Sequence, residues 1–439
     1  MIYRKKIQAL LLTGCLLSLS SQLLASHNTS KYSLFLERPD NYSYRKKPYL
    51  HASLFYTSAS TAFHRYGGNA GLYELSGKYD LQNIFDSLKT AHATDVALKP
   101  QLDLWERQLA GYANKTEFTA EGKCKARGFA LQYDCDLKWN NLVVGASIPF
   151  ISINTTSRLN PSNKSLSASD QLNLSKIRRE IHDTLDLREN NWDKGGIGDV
   201  DVYLRWNYFL DHKLLMRSIN LNFQFGCLAP TGISQDTSYF SSVPVMGNGH
   251  CGLYLDFVPE FELKQNLKVG FMVGNIYQFK NTKIMRLPTY KEPAIFSPIV
   301  GDVSIEPGYT LKLAPYVILE NLTNGVHFQA RYSYLRHSTD SWKDARSTDE
   351  KTSTPSYLNM KPDIANNITQ ENINDNIASK KNLTKWRAHY ITLQFLYNSK
   401  DALHNLVFDP NVYISYDLPI AGRGISKTHQ ITLGAELHF

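Results

Sequence analysis

The strongest constraint on the fold is a series of segments in which apolar and polar residues alternate. A period of two puts the apolar residues on one face of a β-strand. Residues 267–279 show this most clearly, because the odd positions are mainly apolar and the even positions mainly small or polar. Each segment is about 9 to 14 residues long, enough to cross a bilayer at a tilt near 45°. The twelve predicted strands are 49–57, 127–138, 141–152, 199–210, 216–228, 251–263, 267–280, 308–320, 326–336, 386–398, 405–418 and 428–439.

The connections between these strands alternate in length without exception. Short links at 138–141, 210–216, 263–267, 320–326 and 398–405 are separated by the polar segments 58–126, 153–198, 229–250, 281–307, 337–385 and 419–427. Short turns on one side and long loops on the other are typical of outer-membrane barrels. An open sheet edge cannot persist in hydrocarbon, so the sheet must close. The sequence therefore predicts an all-β, transmembrane antiparallel up-and-down β-barrel of about 12 strands, with both chain ends on the periplasmic side.

The last predicted strand, 428–439, ends on the aromatic residue Phe439. It resembles the closing strand of Gram-negative outer-membrane β-barrels. The resemblance implies that Phe439 is an assembly signal read by the barrel assembly machinery, and that the barrel wall contacts outer-membrane lipid. We expect this strand to pair with the first one, 49–57.

The first residues have the pattern of an export signal. A basic start (Arg4 to Lys6) precedes an apolar run from Ile7 to Leu24, which is typical of a secretory signal peptide at 1–26. Residues 12–15 also resemble a lipobox, so acylation at Cys15 is an alternative to cleavage near Ala25. We expect a periplasmic N-terminal segment at 27–48, the barrel at 49–439, and location in the outer membrane.

Two loops are unusually long. Segment 58–126 contains helical spacing at 79–112, and it either plugs the lumen or caps the barrel mouth. Segment 337–385 is rich in polar residues and predicts a mobile outer loop.

No cofactor or metal site is expected, since no cluster of Cys, His or carboxylates has ligand spacing. The net charge is +8, but no basic face carries base-stacking aromatics, so nucleic-acid binding is not predicted. Cys227 and Cys251 have outward parity on neighbouring strands. They are either a cross-strand disulfide over loop 229–250 or two separate thiols.

Alternation along each strand also predicts which side chains point into the lumen, and several of these are charged. The candidate pore-lining residues are Asp201, Arg205, Asp256, Glu260, Glu262, Lys268, Arg331 and Glu436. They either line an aqueous path for small solutes or pair with one another and hold the wall together. Twelve strands enclose more room than the roughly eight whose side chains fill a barrel, which favours a path.

These observations predict a passive channel or substrate-selective porin. The alternatives are a surface-exposed structural or adhesin barrel with a closed lumen, and a lipid-modifying barrel enzyme. The segment His51-Ala52-Ser53 resembles the His-x-Ser pair of the outer-membrane phospholipase family, but its parity places both side chains in the lumen, so enzyme activity is not expected. Association of barrels into homo-oligomers is left open.

Three glycine motifs suggest a narrower resemblance. Gly-x-Gly-Asp at 196–199, Pro-Thr-Gly at 230–232 and Gly-Asn-Gly at 247–249 lie at predicted strand ends. Together they resemble the outer-membrane transporters linked to aromatic-compound (meta-cleavage) degradation pathways, over roughly residues 195–280. The resemblance implies uptake of small hydrophobic or aromatic molecules.

Overall fold

The protein was analysed as a computed structural model, which describes residues 30–31, 49–92, 95–137, 141–211, 216–289, 291–346, 383–399 and 409–438. Within these ranges twelve strands form one closed antiparallel sheet. They are β1 (Tyr49–Ala59), β2 (Glu117–Asp136), β3 (Leu142–Pro161), β4 (Asp201–Asp211), β5 (Ser218–Leu228), β6 (Gly252–Lys264), β7 (Leu267–Gln278), β8 (Thr310–Thr323), β9 (Val326–His337), β10 (Trp386–Asn398), β11 (Asp409–Arg423) and β12 (His429–His438).

The sheet closes by pairing its last strand with its first. β12 lies antiparallel to β1, from Tyr49 opposite His438 to Ser58 opposite His429. Every other strand pairs with its neighbours in chain order. The predicted up-and-down barrel and its closure are therefore confirmed, and each strand overlaps the predicted segment.

The remaining elements lie between the barrel strands. Three α-helices are described: α1 (Leu81–Ala91), α2 (Lys99–Ala110) and α3 (Ala168–Thr184). Short strands cover Thr61–Phe63, Asn69–Gly71, Tyr79–Asp80, Trp192–Ile197, Asn281–Leu287, Ile299–Glu306, Ser341–Asp344 and Ile425–Ser426, and 3-10 turns cover Leu72–Ser76 and Ala294–Phe296. No helix among the described residues is long and apolar enough to cross a membrane.

The outward face of the barrel is apolar. Its exposed side chains include Leu54, Leu255, Phe395, Ile414 and Leu433, each at least 48 % exposed. Exposure of that extent would be unfavourable in water but matches contact with hydrocarbon, where the ladder satisfies every backbone group. The chain has the architecture of an outer-membrane β-barrel.

The prolines inside the barrel strands include Pro149, Pro259, Pro315 and Pro410, and each of these four coincides with a break on one side of its ladder. Pro259 lies where the β6–β7 pairing skips from Phe257 to Glu260, and Pro315 where the β8–β9 pairing skips from Leu313 to Tyr316. Pro149 lies between the part of β3 that pairs with β4 and the part that pairs with Trp192–Ile197. Pro410 is at the end of β11. A proline lacks the N–H that a ladder needs, so these breaks are its expected consequence.

Tyrosines cover glycines on neighbouring strands inside the barrel. The directly opposed pairs are Tyr203 with Gly145, Tyr254 with Gly226, Tyr316 with Gly270, and Tyr413 with Gly434. A Cβ atom at any of these glycines would overlap the tyrosine ring. The ring takes the place that a second side chain would otherwise fill, which fixes the register of the two strands.

At the long-loop end, β2 and β3 extend further beyond the barrel rim than predicted. They pair from Phe118 opposite Pro161 down to Asp136 opposite Val143. Beyond the barrel rim the inward residues of this hairpin join one apolar cluster with the three helices. Contacts fix the order of the layers: Arg178 of α3 donates to the carbonyl of Leu159 at 2.7 Å, and Trp105 of α2 donates to Glu180 of α3 at 2.8 Å. The helices α1, α2 and α3 therefore pack on the part of this hairpin that lies beyond the barrel rim, and we call them the helical cap.

Ser30 and Lys31 are the first residues that the structure describes. Lys31 donates to the carbonyl of Leu75 at 3.0 Å, and its own carbonyl accepts from Ser426 at 2.9 Å. Residues 30 and 31 therefore lie at the long-loop end of the barrel and not at the periplasmic end, which corrects the placement of segment 27–48 for these two residues. The predicted signal peptide 1–26 with Cys15, most of loop 337–385, and Phe439, the predicted assembly signal, lie outside the described residues.

Candidate functional site

Each predicted lumen charge lies in the wall with a polar partner. The partners and distances are Arg205–Asp134 (3.0 Å), Asp256–Lys312 (3.0 Å), Lys268–Glu320 (2.7 Å), Arg331–Asp417 (3.9 Å), Glu262–Arg217 (3.1 Å), Asp201–Tyr254 (2.8 Å), Glu260–Tyr316 (3.0 Å) and Glu436–Asn411 (3.4 Å). Lys312, Glu320 and Asp417 were not among the candidates, although their inward parity was visible in the sequence.

Six of the eight predicted charges are buried, whereas Glu262 and Lys268 are partly exposed. Asp256 and Asp417 are 0 % exposed, and Arg205 is 5 % exposed. Ionised groups so deeply buried are stable only when paired, because burial removes their hydration. The pairing supports the second sequence interpretation for these residues, in which they hold the wall together.

The three glycine motifs meet at one carboxylate. Asp199 accepts a hydrogen bond from the amide of Gly232 at 2.7 Å and another from the amide of Gly247. Thr231 donates to the carbonyl of Gly198 at 2.7 Å. We call these five residues the Asp199 junction. It anchors loop 229–250 over the outer ends of β4, β5 and β6.

Burial changes the titration of two groups in this region. It raises the pKa of Asp199 to about 7, although the amides of Gly247 and Gly232 act in the opposite direction. Burial, assisted by the positive charge of Lys283, lowers the pKa of His250 to about 4. His250 Nδ1 lies 3.0 Å from the carbonyl oxygen of Phe279, which can only accept, so Nδ1 donates.

The Asp199 junction should therefore weaken as pH rises. The folded pKa of about 7 exceeds the ~3.9 of an unfolded aspartate, so the stabilisation is complete below about pH 4 and is lost as pH rises through 7. The contribution of His250 to stability rises with pH, because its pKa is lowered in the folded protein. The measurement therefore uses His250→Gln protein. Hydrogen exchange at the Gly232 and Gly247 amides, corrected for intrinsic rates, should accelerate between pH 4 and 7. The matched His250→Gln/Asp199→Asn protein should show no such trend, and equal trends in both would contradict the assignment.

A cavity of about 170 Å³ lies beside this junction at the outer end of the lumen. We call it the mouth pocket. Its walls combine the strand ends of β7, β9 and β10 with the loops that follow β5, β7 and β9. Its main apolar side chains are Met246, Met285, Ile295, Ile305, Trp342 and Trp386, and its ionisable side chains are Lys31, His250, Arg286, His337 and Asp340.

Hydrogen bonds hold the polar side of the mouth pocket in place. His337 lies with Nε2 2.8 Å from Asp340 and Nδ1 2.7 Å from the Thr310 hydroxyl. Its ring stacks on Trp386 with centroids 5.6 Å apart. Asp340 also accepts from the amide of Gly308 at 2.9 Å. The carboxylate and the indole are therefore fixed before any ligand arrives.

Two cationic side chains, Arg286 and Lys31, border the mouth pocket. Arg286 donates to the carbonyls of Thr237, Ser297 and Leu185 at 2.8 to 2.9 Å, which ties three loops together. Lys31 is partly buried, and loss of hydration lowers its pKa to about 8, with Arg65 acting in the same direction and Asp340 opposing. At neutral pH Lys31 is mostly charged but is easily neutralised.

One buried constellation under the cap was not visible in the sequence. The Tyr79 hydroxyl lies 2.7 Å from His182 Nε2, and His182 Nδ1 lies 2.7 Å from Glu189. Glu189 in turn accepts two hydrogen bonds from Arg178, at 2.9 and 2.8 Å. Tyr79 and His182 are both 1 % exposed, and burial raises the pKa of Tyr79. The chain of contacts joins α3 to the short strand Tyr79–Asp80 and to Glu189.

The His51-Ala52-Ser53 segment faces the lumen, as parity predicted. His51 and Ser53 are buried while Ala52 is exposed, and His51 Nε2 lies 2.9 Å from the Tyr413 hydroxyl. No group of three or more potential metal ligands occurs within the described ranges.

Of the two interpretations of Cys227 and Cys251, the structure has the separate thiols. Cys227 lies opposite Leu253 and not opposite Cys251. An offset of two residues makes the cysteines diagonal neighbours, about 7–8 Å apart. A disulfide requires Cα atoms closer than about 7 Å.

Comparisons with known proteins found similarity among solved structures. No protein-family model and no curated protein matches the chain. An outer membrane channel from Pseudomonas putida F1 matches with 9 % identity and a TM-score of 0.47, covering 92 % of this chain and 100 % of that one. The Pseudomonas putida toluene transporter TodX matches with 10 % identity and a TM-score of 0.33, over 95 % and 99 %. The transport unit of the autotransporter AIDA-I from Escherichia coli matches with 6 % identity and a TM-score of 0.37, over 94 % and 100 %.

Proposed function

We propose that this protein is an outer-membrane channel that admits small amphipathic solutes through the mouth pocket. The observation that carries the proposal is the position of this cavity, at the outer end of a twelve-stranded barrel. Ligand sites are typically concave and mostly apolar, with a few fixed polar groups. The mouths of β-barrels are a frequent place for them.

The composition of the mouth pocket sets the class of solute. Trp342 and Trp386 offer flat apolar surfaces, and Met246 and Met285 adapt to irregular shapes. Asp340 and Lys31 would orient a polar end of the solute. The volume of about 170 Å³ is close to the ~150 Å³ of a cavity that accepts benzene, so a single small ring with one polar substituent would fit.

A second candidate is a structural or adhesin barrel with a closed lumen. The paired, inaccessible charges of the inner wall favour it, since Asp256 and Asp417 are 0 % exposed. This candidate predicts no conductance, whereas the channel predicts discrete current steps.

Recordings in planar bilayers should show steady ohmic steps that small solutes modify. Benzyl alcohol in the outer chamber should reduce the current by occupying the mouth pocket. Met285→Trp should lower the conductance without any solute, because a larger side chain fills this cavity. The matched control is Ile284→Trp, since Ile284 is 54 % exposed and does not line the mouth pocket. Silent bilayers despite folded protein would support the closed barrel, and equal effects of the two substitutions would exclude the mouth pocket as the entrance.

A further inference from the structure

Three exposed arginines lie side by side across neighbouring barrel strands. Arg336 of β9 is directly opposite Arg387 of β10, which is directly opposite Arg423 of β11. All three side chains are exposed and lie on the outward face of the sheet. We call them the arginine row. Adjacent strands are about 4.8 Å apart, so the three positions span about 10 Å.

Such a row is unfavourable on its own. Like charges directly opposite one another destabilise a sheet, and here two consecutive pairs are alike. Within the described part of the chain, none of the three guanidinium groups is paired with a carboxylate. A bound anion that bridges the guanidinium groups would turn this repulsion into attraction.

The arginine row lies at the outer edge of the apolar belt. Directly below it the outward positions are Tyr334, His389 and Ala421, and further rows continue down to Val326, Tyr397 and Val412. Ten residues along a strand cover about 33 Å, which at a tilt of about 40° is about 25 Å in height. That is the height of the apolar band of outer-membrane barrels.

An aromatic girdle confirms this level. The Tyr332 hydroxyl lies 2.6 Å from His389 Nδ1, and the Tyr416 hydroxyl lies 2.7 Å from His429 Nδ1. Amphipathic rings of this kind mark the boundary between hydrocarbon and headgroups. The arginine row therefore stands at the height of the headgroups of the outer leaflet.

We propose that the arginine row binds the phosphate-bearing headgroup of an anionic glycolipid of the outer leaflet. Guanidinium groups match phosphate oxygens in paired hydrogen bonds. The strip below the row is apolar, with Leu393, Phe395, Ile414 and Leu418 each 39 to 52 % exposed. Phosphate binds at the row while acyl chains lie along this strip, so one lipid molecule satisfies both surfaces. The proposal is independent of whether the lumen conducts.

The barrel offers a matched control. Lys123, Lys125 and Arg127 are also outward and exposed, and they carry the same charge. They follow one another along β2, about 7 Å apart. Lys125 shares its row with Asn154 and the exposed Asp193. This basic column lacks the lateral clustering that a single phosphate group requires.

The test measures binding of bisphosphorylated lipid A to the purified full chain in detergent, by native mass spectrometry. We expect the wild-type protein to bind it, and R336A/R387A/R423A to bind at least about tenfold more weakly, since charge-assisted hydrogen bonds are lost. K123A/K125A/R127A should bind like the wild type. R336K/R387K/R423K, which keeps the charge but not the planar fork, should fall between them.

Three outcomes would overturn the proposal. Equal loss in the two alanine triples would show general charge attraction without a site. Equal binding of dephosphorylated lipid A would show that acyl chains alone are recognised. Competition by millimolar inorganic phosphate, with no preference for the lipid, would show a free-anion site. A heat-modifiability gel of each variant verifies that the barrel is folded before binding is scored.

Discussion

Replacing Arg205 with leucine should lower the free energy of unfolding by about 3–5 kcal/mol, since one partner of a buried ion pair is left without its counter-charge. Arg205 is 5 % exposed, its Nη1 is 3.0 Å from Asp134, and its Nε donates to Gln224 at 2.9 Å. Asp134 is itself 1 % exposed, so water cannot replace the guanidinium. Urea unfolding in lipid vesicles, followed by tryptophan fluorescence, measures the change.

Two control proteins separate this loss from ordinary surface effects. Arg217→Leu removes an arginine whose side chain is 48 % exposed and 3.1 Å from Glu262, and should cost about 1 kcal/mol or less. Asp134→Asn/Arg205→Leu removes both charges and should recover much of the stability. If Arg205→Leu proved as mild as Arg217→Leu, the inner wall would be hydrated and the pairing interpretation would be wrong.

Replacing Gly226 with alanine should destabilise the barrel by about 1–3 kcal/mol, the usual cost of overpacking. The new Cβ would overlap the ring of Tyr254, which is 2 % exposed. The ring cannot move aside easily, because its hydroxyl donates to Asp201 at 2.8 Å and accepts from Gln224 at 2.6 Å. The temperature at which the folded band disappears on a heat-modifiability gel should fall.

Gly195→Ala is the matched control, since a Cβ there meets only a carbonyl oxygen at 3.9 Å. The double variant Gly226→Ala/Tyr254→Ala should be less destabilised than the sum of its single changes, because the overlap is gone. Additive effects in the double variant would mean that Gly226 matters for a reason other than the tyrosine ring.

The barrel could be read from the sequence because its main cause is local. Each strand must expose apolar residues to lipid, so alternation in 267–279 or 428–439 reports the burial environment directly. Closure follows from the need to pair every backbone group in hydrocarbon. Both inferences hold without knowing any contact between distant residues.

The extension of β2 and β3 beyond the barrel rim was missed because charged residues, and not apolar ones, lie on the outer face there. Below the rim the outward residues are apolar, such as Phe129 and Leu131. Above it the outward residues are Lys123 and Lys125, and the inward face joins the core of the helical cap. The rule that the outer face of a strand is apolar does not hold beyond the membrane, since water replaces lipid there.

The candidate site depended on contacts that no local pattern contains. The mouth pocket joins Lys31, Met246, Trp342 and Trp386, which come from four separate parts of the chain. The sequence could not decide between a disulfide and separate thiols for the same reason, because the choice depends on the register offset of two residues that separates Cys227 from Cys251. The glycine motifs were visible, Asp199 among them, but the hydrogen bonds from Gly232 and Gly247 to Asp199 appeared only once their loops were placed.

The amino-acid order alone determined that this chain forms a closed membrane-type barrel, since alternation and loop lengths respond to lipid and water one strand at a time. Tertiary structure alone decided which charges pair in the wall, where the helices sit, and which arginines stand side by side. Those features depend on strand register and loop packing, in which a shift of one or two residues changes every partner.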